Sequence, residues 1–485
     1  MASVADESVA GNTAEQVEQD RREMIVAEVA NALLAGWDQF APEGGTDLEE
    51  IEQRVQRLLR LGGGVIVEHV AEGAVGNLPR PVCAGCGKQM EVACRRAREP
   101  EGLVGRYRLQ RTVYVCRHGD RTAVPADEFW GLGPGTLSPA LSRVVAAAAA
   151  EIPAFAQAAA TTGETLGVKL DPSTVALTSE AAGAVAEQDR QAAVAALKEE
   201  LQPAAGAAPP ALPPPAEPPT FLLSVDATKA NADKQWRDVK VGVVATLGPQ
   251  SRPQADERMT LVVGPHRYVA GIEPTADFFY RLLSLLREAG WSPGSPLSVL
   301  LIGDGAPFIW NYTAKLEALG IRVHEVVDYY HASEHIWKVA HAVHGNAIDA
   351  HLWGETLATA LFTQGTGPVI AALDTLQPRA PVAQDEVRKA RDYFVTNAER
   401  MHYPLYAQRA WPLGSGIVES ACRLVSGLRV KQPGMRWTFT GVRAILTLRA
   451  TRLSQHGQWA DLWKSKPLRR RPPVASLRRT EAQTA

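Results

Sequence analysis

The chain has 485 residues, 46% hydrophobic and 21% charged, and its formal net charge at pH 7 is only -2. This composition excludes a chain without a buried core, and the length suits two or three domains. The near-neutral charge excludes a globally basic nucleic-acid binder, although a basic stripe on a neutral protein is enough to bind DNA.

Two helices are predicted at the N-terminus. Thr13 with Gln16, and Thr46 with Glu49, have the spacing of capping boxes, and apolar residues at helical intervals follow each pair. The glycine run 62–64 is expected to close the second helix.

Four of the five cysteines lie in the next segment. Cys83-x-x-Cys86 and Cys116-x-His118 stand on either side of the strand-like sequence RYRLQRTVYVC, a pattern that suggests a structural Zn²⁺ site of the zinc-ribbon kind. Either His118 or Cys94 is a candidate for the fourth ligand. Four unligated thiols are the equally weighted alternative, and both readings favour a reducing cytoplasm.

Helical sequence follows from 138 to about 187, with a restart at Asp171-Pro172. The helix that starts there is the candidate recognition helix of a helix-turn-helix, and an alanine-rich bundle without DNA contact is the alternative. The most apolar stretch, 144–160, is interrupted by Glu151 and Pro153 and is not expected to cross a membrane. The proline-rich segment 199–220 then predicts an extended linker.

An α/β pattern begins after the linker. Three β-rich runs, a helix and further strand–helix units form the element order of a ribonuclease H-like fold, with its first three strands as an antiparallel meander. The predicted elements are strands at 221–228, 239–247, 258–264, 298–303 and 321–327, helices at about 276–289 and 306–319, mostly helical sequence at 329–410, and final helices at 415–455.

Acidic residues stand at two positions that this fold would bring together. Asp226 lies in the first strand, and Asp304 follows the fourth. If those strands are parallel neighbours, both carboxylates meet at one edge of the sheet. With a third carboxylate from a late helix, they would form an oxygen-ligand cage for two Mg²⁺ or Mn²⁺ ions. Taken singly, each acid is better explained as a helix cap or turn residue.

Four longer motifs carry a resemblance to a known family. SVDAT, LIGDGAPFIW, VVDYYHASEHIW and GSGIVESACRLVSGLRVKQPGMRW resemble the transposases of the Kra-type insertion sequences, over roughly 221–455. The resemblance implies a DDE-type DNA transposase whose acidic triad is Asp226, Asp304 and Glu419, with double-stranded DNA as its substrate and a dimer or larger synaptic oligomer as its working form. It also implies a second CxxC whose last cysteine would fall at Gly119.

Two further features follow from the same motifs. The 115-residue interval between the second and third acids predicts a helical insertion domain, and Asp328-x-x-His331 matches an element that such enzymes carry near it. His331 is then expected to contact the scissile phosphate or to assist proton transfer. The sequence from His331 to His335 also satisfies H-x-x-E-H, so a zinc peptidase is a minor alternative.

Basic residues near the acids are candidates for phosphate contacts, and a solvated charged face is the alternative for each of them. The candidates are Lys229, Arg237, Lys240, Arg423, Arg429, Lys431 and Arg436.

The sequence as a whole predicts a multidomain α+β and α/β protein in the bacterial cytoplasm, associated with the nucleoid. A catalytically silent DNA-binding regulator derived from a transposase is the main alternative function. The predicted domains are an N-terminal helical region (1–80), a zinc-ribbon-like segment (81–130), a helical region (131–198), the linker (199–220), the catalytic core (221–328 and 411–460), its helical insertion (329–410) and a basic tail (461–485).

Overall fold

The computed structural model describes residues 5–40, 47–76, 78–202, 210–214, 218–248 and 263–464. The chain forms two compact units, one of Met1–Val185 with Leu462–Ala485 and one of Ala186–Asp461. The architecture is mixed α+β, and within the described ranges no helix is long and apolar enough to cross a membrane. Parts of the predicted linker and nearly all of the predicted basic tail lie outside the described residues.

The first unit combines long helices with a small antiparallel sheet of order β1-β4-β5. Its elements are α1 (Ala5–Phe40), α2 (Leu48–Val75), β1 (Glu91–Arg98), β2 (Glu101–Gly102), β3 (Gly105–Arg106), β4 (Leu109–Val115), β5 (Thr122–Ala123), α3 (Pro125–Trp130), α4 (Pro139–Glu151), α5 (Phe155–Leu166) and the start of α6 (Pro172–Glu200).

The N-terminal helix boundaries differ from those predicted. Thr13 lies inside α1, so it does not cap that helix. The cap of α2 is Asp47, whose carboxylate accepts a hydrogen bond from the Glu50 N–H at 2.9 Å. Thr46 lies outside the described residues. The prediction named the wrong position because aspartate caps as well as threonine does, and here Asp47 stands next to it.

The glycine run does not end α2, which was the second wrong prediction in this region. A Cβ on Gly64 would lie 2.8 Å from the Arg106 carbonyl oxygen, and one on Gly63 would lie 3.0 Å from Val104 Cβ. The absence of side chains at these glycines therefore allows the β2–β3 hairpin to pack closely against α2, which continues past them. Glycine in a helix interior lowers its stability but does not break the hydrogen-bond ladder.

The predicted start of α6 is confirmed. Asp171 Oδ1 accepts a hydrogen bond from the Ser173 N–H at 2.7 Å, and Pro172 occupies the first helical position. The recognition role of this helix stays a prediction.

The second unit is built on a five-stranded mixed sheet of order β10-β9-β6-β7-β8. Its elements are β6 (Phe221–Ala232), β7 (Gln235–Leu247), β8 (Val263–Gly271), α7 (Thr275–Glu288), β9 (Leu297–Gly303), α8 (Pro307–Glu317), β10 (Ile321–Val327), α9 (Tyr329–Val343), α10 (Ala347–Gln364), α11 (Thr366–Thr375), α12 (Pro381–Asn397), a 3₁₀ turn (Ala398–Arg400), α13 (Tyr403–Gln408), α14 (Gly416–Ala421), a π-helical segment (Cys422–Gly427), α15 (Leu428–Val430), α16 (Phe439–Leu453) and α17 (Gln458–Lys464).

The strand directions agree with the sequence-based expectation. β6, β7 and β8 pair antiparallel as a meander, and β9 pairs parallel with both β6 and β10. Of the predicted strand 258–264, the first part lies outside the described residues and β8 begins at Val263. The two acid-bearing strands are thus parallel neighbours.

Helices cover both faces of the sheet, and the central parts of β6, β7 and β9 are apolar and buried. Leu223 and Val225 of β6 pack with residues of α7 and α8, whereas Leu222 packs with residues of α9 to α13. Because side chains alternate along a strand, Asp226 belongs to the same face as Leu222, the one that packs against α9.

A buried ionic cluster lies within the second unit and connects the C-terminal part of α6 to α7 and α16. The Glu187 carboxylate accepts hydrogen bonds from Arg281 Nη1 at 2.9 Å, Arg443 Nη2 at 2.6 Å and Thr447 Oγ1 at 2.6 Å, and Arg281 also pairs with Glu273. Burial raises the pKa of Glu187, but these partners outweigh it and the net pKa is lowered. α6, α7 and α16 are therefore held together by a single carboxylate.

Glu187→Gln is expected to reduce the free energy of unfolding by about 3 kcal/mol, because it removes one counter-charge from buried Arg281 and the ion-pair partner of half-buried Arg443. Since the folded pKa lies below the ordinary value of 4.5, the ionised contribution is present above that pH and is lost as pH falls through the folded pKa. Urea titration at pH 7 and pH 4 measures both effects. Glu199→Gln, an exposed substitution on the same helix, is the control. Equal losses in the two variants would contradict the role given to the cluster.

Candidate functional site

The first two acids lie at the same level on neighbouring strands. Ser224 of β6 is in register with Ile302 of β9, and its Oγ donates a 2.7 Å hydrogen bond to the Ile302 carbonyl. Asp226 lies two residues after Ser224 in β6, and Asp304 lies two residues after Ile302, directly beyond the end of β9. Asp226 accepts a hydrogen bond from the Ala227 N–H at 2.6 Å. Parallel pairing thus places both carboxylates at the carboxyl edge of the sheet.

The pKa of the Asp226 carboxyl reports its surroundings. Burial raises this pKa, the Ala227 N–H and the Cys422 side chain lower it, the charge of Asp304 raises it again and His331 lowers it. The net pKa is raised. Asp226 therefore interacts with Asp304, His331 and Cys422, which come from three other elements.

Glu419 approaches the same place from α14. The Cys422 thiol, one turn further along, hydrogen-bonds with the Asp226 carboxylate, and burial together with the charges of Asp226 and Glu419 holds its pKa far above the ordinary value. The thiol thus contacts the first acid and lies within the electrostatic influence of the third. Cys422 is not among the site residues predicted from the sequence, although its position three residues after Glu419 puts both on one helix face.

A buried aspartate connects the strand end to the helix of the third acid. Asp328 is 1% exposed, and its N–H donates to the Gly303 carbonyl at 2.8 Å. Its carboxylate accepts the His331 N–H at 3.1 Å and, at 2.5 Å each, the N–H and Oγ of Ser415. Ser415 Oγ also lies 3.2 Å from Glu419 Oε1. Asp328 therefore links the start of the helical segment that follows β10 to its end at Ser415. The sequence motif did not indicate this role for either residue.

The insertion also contacts the Asp304 turn. Tyr393 of α12 donates its hydroxyl to the Asp304 carbonyl at 2.9 Å. Gly305 has φ +96°, and a Cβ there would lie 2.8 Å from the Tyr393 ring, so this turn requires glycine. The backbone that presents Asp304 is thus held from the opposite side by the insertion.

The two histidines of H-x-x-E-H have different surroundings. His335 stacks on Tyr393 with ring centroids 4.0 Å apart, and burial, followed by the nearby charges of Lys338 and His331, lowers its pKa to about 4. It is a neutral packing group at pH 7. His331 lies half-exposed in the first turn of α9, beside Asp226. Within the described ranges these histidines and Glu334 do not form a group of close metal ligands, which gives no support to a zinc peptidase.

The acids have the chemistry that a divalent cation requires. Across the described residues, no lysine or arginine forms an ion pair with Asp226, Asp304 or Glu419, and the charge of Asp304 raises the pKa of Asp226. A bound cation would remove that repulsion. Their ligand oxygens do not all lie within 4.8 Å of one another. The three carboxylates therefore do not, by themselves, form a group of close ligands for a single ion.

The predicted phosphate contacts fall into two groups. Lys431 is exposed and reaches Thr228 Oγ1 at 3.2 Å, and Arg423 and Arg436 are exposed as well. Arg429 is different: it is 1% exposed and its guanidinium lies over the Trp437 ring at 5.1 Å. The prediction that Arg429 contacts DNA is therefore corrected, because a buried guanidinium cannot reach a phosphate outside.

The remaining basic candidates lie on the β6–β7 hairpin. Lys229 is exposed and lies 4.0 Å from Asp238. Arg237 packs over the Phe439 ring at 5.2 Å, and Lys240 Nζ donates to the Glu273 carbonyl at 2.9 Å. Of these three side chains, that of Lys229 is the most exposed.

A separate cysteine group in the first unit can hold a metal such as zinc. The sulfurs of Cys83, Cys86 and Cys116 lie within 4.8 Å of one another, with Cys86 and Cys116 at 3.5 Å. The Gly85 and His118 N–H groups each donate to a cysteine sulfur at 3.4 Å. Tetrahedral thiolates bound to zinc at about 2.3 Å are about 3.8 Å apart, so the spacing fits.

The surroundings of this group favour metal binding. Backbone N–H groups of Gly85 and Cys86 lower the pKa of Cys83 to about 7, which raises its thiolate fraction. The local core consists only of Cys83, Met90 and Cys116, with Tyr114 and Ala123 beside them. A bound metal would add stability to a core this small.

The two candidates for a fourth ligand are not part of this group. His118 Nε2 lies 3.2 Å from Lys88 Nζ, and Cys94 is exposed on β1. Three thiolates are thus the ligands that the described residues bring together.

Comparison with known proteins gave no match, either to models of protein families or to curated proteins.

Cys86→Ser is expected to abolish stoichiometric zinc binding and to lower the melting temperature of the first unit, because the metal replaces a missing core. Metal analysis of the purified protein and a thermal melt with and without a chelator measure this. Cys94→Ser is the matched control and should keep the metal. Equal zinc content in wild type and Cys86→Ser would contradict the assignment.

Proposed function

We propose that the chain is a DDE-type DNA transposase that cuts and joins phosphodiester bonds at the edge of the five-stranded sheet. The observation that carries the proposal is the meeting of Asp226 and Asp304 on adjacent parallel strands, with Glu419 brought near them through Ser415 and Asp328. The sheet order β10-β9-β6-β7-β8, with only β7 antiparallel to its neighbours, is the order expected of a ribonuclease H-like core.

The three acids would hold two Mg²⁺ or Mn²⁺ ions. When bound, such ions activate the attacking oxygen and neutralise the leaving oxygen of a phosphodiester. Asp226, Asp304 and Glu419 supply hard oxygen ligands, which suit cations that also contact phosphate. Their positions are fixed by backbone hydrogen bonds and by Ser415, so little reorganisation is needed on binding.

The proposed reaction has two steps. In the first, the oxygen of a water molecule attacks a phosphorus at the element end, the P–O3′ bond breaks and a 3′-hydroxyl is released. In the second, that hydroxyl attacks a phosphorus of target DNA and displaces another 3′-oxygen. His331 stands beside Asp226 and would contact the phosphate or carry a proton at these steps.

Charged groups around the acids fit a DNA substrate. Lys431 lies close enough to Cys422 for its charge to affect that thiol, and Arg423 is exposed in the adjoining π-helical segment. Exposed cations at such positions can bind phosphates on either side of the cut. Neither residue is committed to an internal ion pair within the described chain.

Asp226→Asn is expected to reduce metal-dependent nicking of DNA by about 10³-fold or more, because losing a ligand for the ions removes several kcal/mol of transition-state stabilisation. The substrate is the DNA that flanks the reading frame, tested with Mg²⁺ and with Mn²⁺. Asp238→Asn, an exposed acid on the same hairpin, is the control and should cut normally. Wild-type protein that binds this DNA but never cuts it would overturn the enzyme proposal in favour of a silent regulator.

Ser415→Ala is expected to reduce nicking by about 10- to 100-fold while leaving DNA affinity unchanged, because the residue orients a metal ligand rather than the substrate. The expected signature is a higher Mn²⁺ concentration for half-maximal activity. Ser415→Thr, which keeps the hydroxyl, should restore most of the rate.

Ser426→Ala is the control for this variant. Its buried hydroxyl has no hydrogen-bond partner within the described residues, so its removal should be neutral. Unchanged metal dependence in Ser415→Ala would contradict the link between Asp328 and Glu419.

A further inference from the structure

An apolar stripe runs along one side of α2 and is open to solvent. Leu48, Val55, Leu59, Ile66 and Val70 are 69%, 44%, 66%, 46% and 63% exposed. Single exposed apolar residues are common on protein surfaces, but five exposed apolar residues aligned along one face of a helix are not. The feature therefore calls for a partner.

The spacing of these residues makes them one face. Their intervals are seven, four, seven and four residues, an 11-residue repeat that keeps side chains aligned along a nearly straight helix. α2 has 28 residues and is thus about 42 Å long. The stripe extends over most of that length.

Two other sides of α2 pack against neighbouring elements of the first unit. α1 packs beside Leu58 and Gly62, where an added Cβ on Gly62 would lie 3.2 Å from Leu33. The β2–β3 hairpin packs on Gly63 and Gly64. The exposed stripe lies between these two contacts on the helix circumference, so neither of them covers it.

We propose that the stripe is the dimer interface of this protein, and that its occupant is α2 of a second copy. A stripe with a regular repeat is complementary to itself, as a two-fold interface requires. The stripe from Leu48 to Val70 is about 33 Å long. With the side chains that flank it, it would form the centre of an interface of the usual size, about 800 Å² per partner. The inference rests on the first unit alone and is independent of the transposase proposal.

The double variant Leu59→Glu, Ile66→Glu tests the interface. Wild-type protein is expected to sediment as a dimer at a concentration on the order of 10 µM. The dimer dissociation constant of the variant should be at least about thirtyfold higher, because the central contacts of the interface are lost. Helical content measured by circular dichroism should be unchanged, since both side chains already face solvent in a single copy. Glu72→Lys, an exposed substitution on another face of α2, should leave the dimer intact.

A cross-link locates the contact. Leu59 is midway between Leu48 and Val70, so it faces its own copy whether the two helices run parallel or antiparallel. Leu59→Cys should form an intermolecular disulfide under mild oxidation, above the background of wild type and of Glu72→Cys. A monomeric wild type, or a double variant that dimerises as tightly as wild type, would overturn the proposal. So would failure of Leu59→Cys to cross-link.

Discussion

The arrangement of the candidate site depends on the buried Asp328 carboxylate. It ends β10, caps α9 and accepts two hydrogen bonds from Ser415, a residue 87 positions later in the chain. The helical insertion lies between those two points, so this one group fixes both ends of the insertion to the sheet. A carboxylate that accepts several N–H and O–H donors is stable when buried, whereas the same group with partners missing would be costly.

From this junction the site can be followed outward in two directions. Toward the sheet, the Asp328 N–H contacts Gly303, the residue before Asp304. Toward α14, Ser415 contacts Glu419. Residues far apart in sequence are thereby placed on one short network. The insertion reinforces it through Tyr393, which holds the Asp304 backbone from another direction.

Sequence reasoning succeeded where local pattern decides structure. The apolar runs predicted the central strands, and their order along the chain predicted the antiparallel meander of β6 to β8. It failed where a tertiary contact decides: Gly64 serves a neighbouring hairpin and does not end its helix, and Arg429 is turned inward onto an aromatic ring. Hydrophobic periodicity carries no information about partners 87 residues away, so the role of Ser415 could not be predicted.

The central claim is that Asp226, Asp304 and Glu419 form one divalent-metal site. Anomalous diffraction from Mn²⁺ in crystals of the protein bound to DNA from the element end tests it most directly. The account predicts two peaks among these three carboxylates, close to a phosphate oxygen. Peaks at other acids, with the three carboxylates free of metal while the DNA is bound, would contradict it.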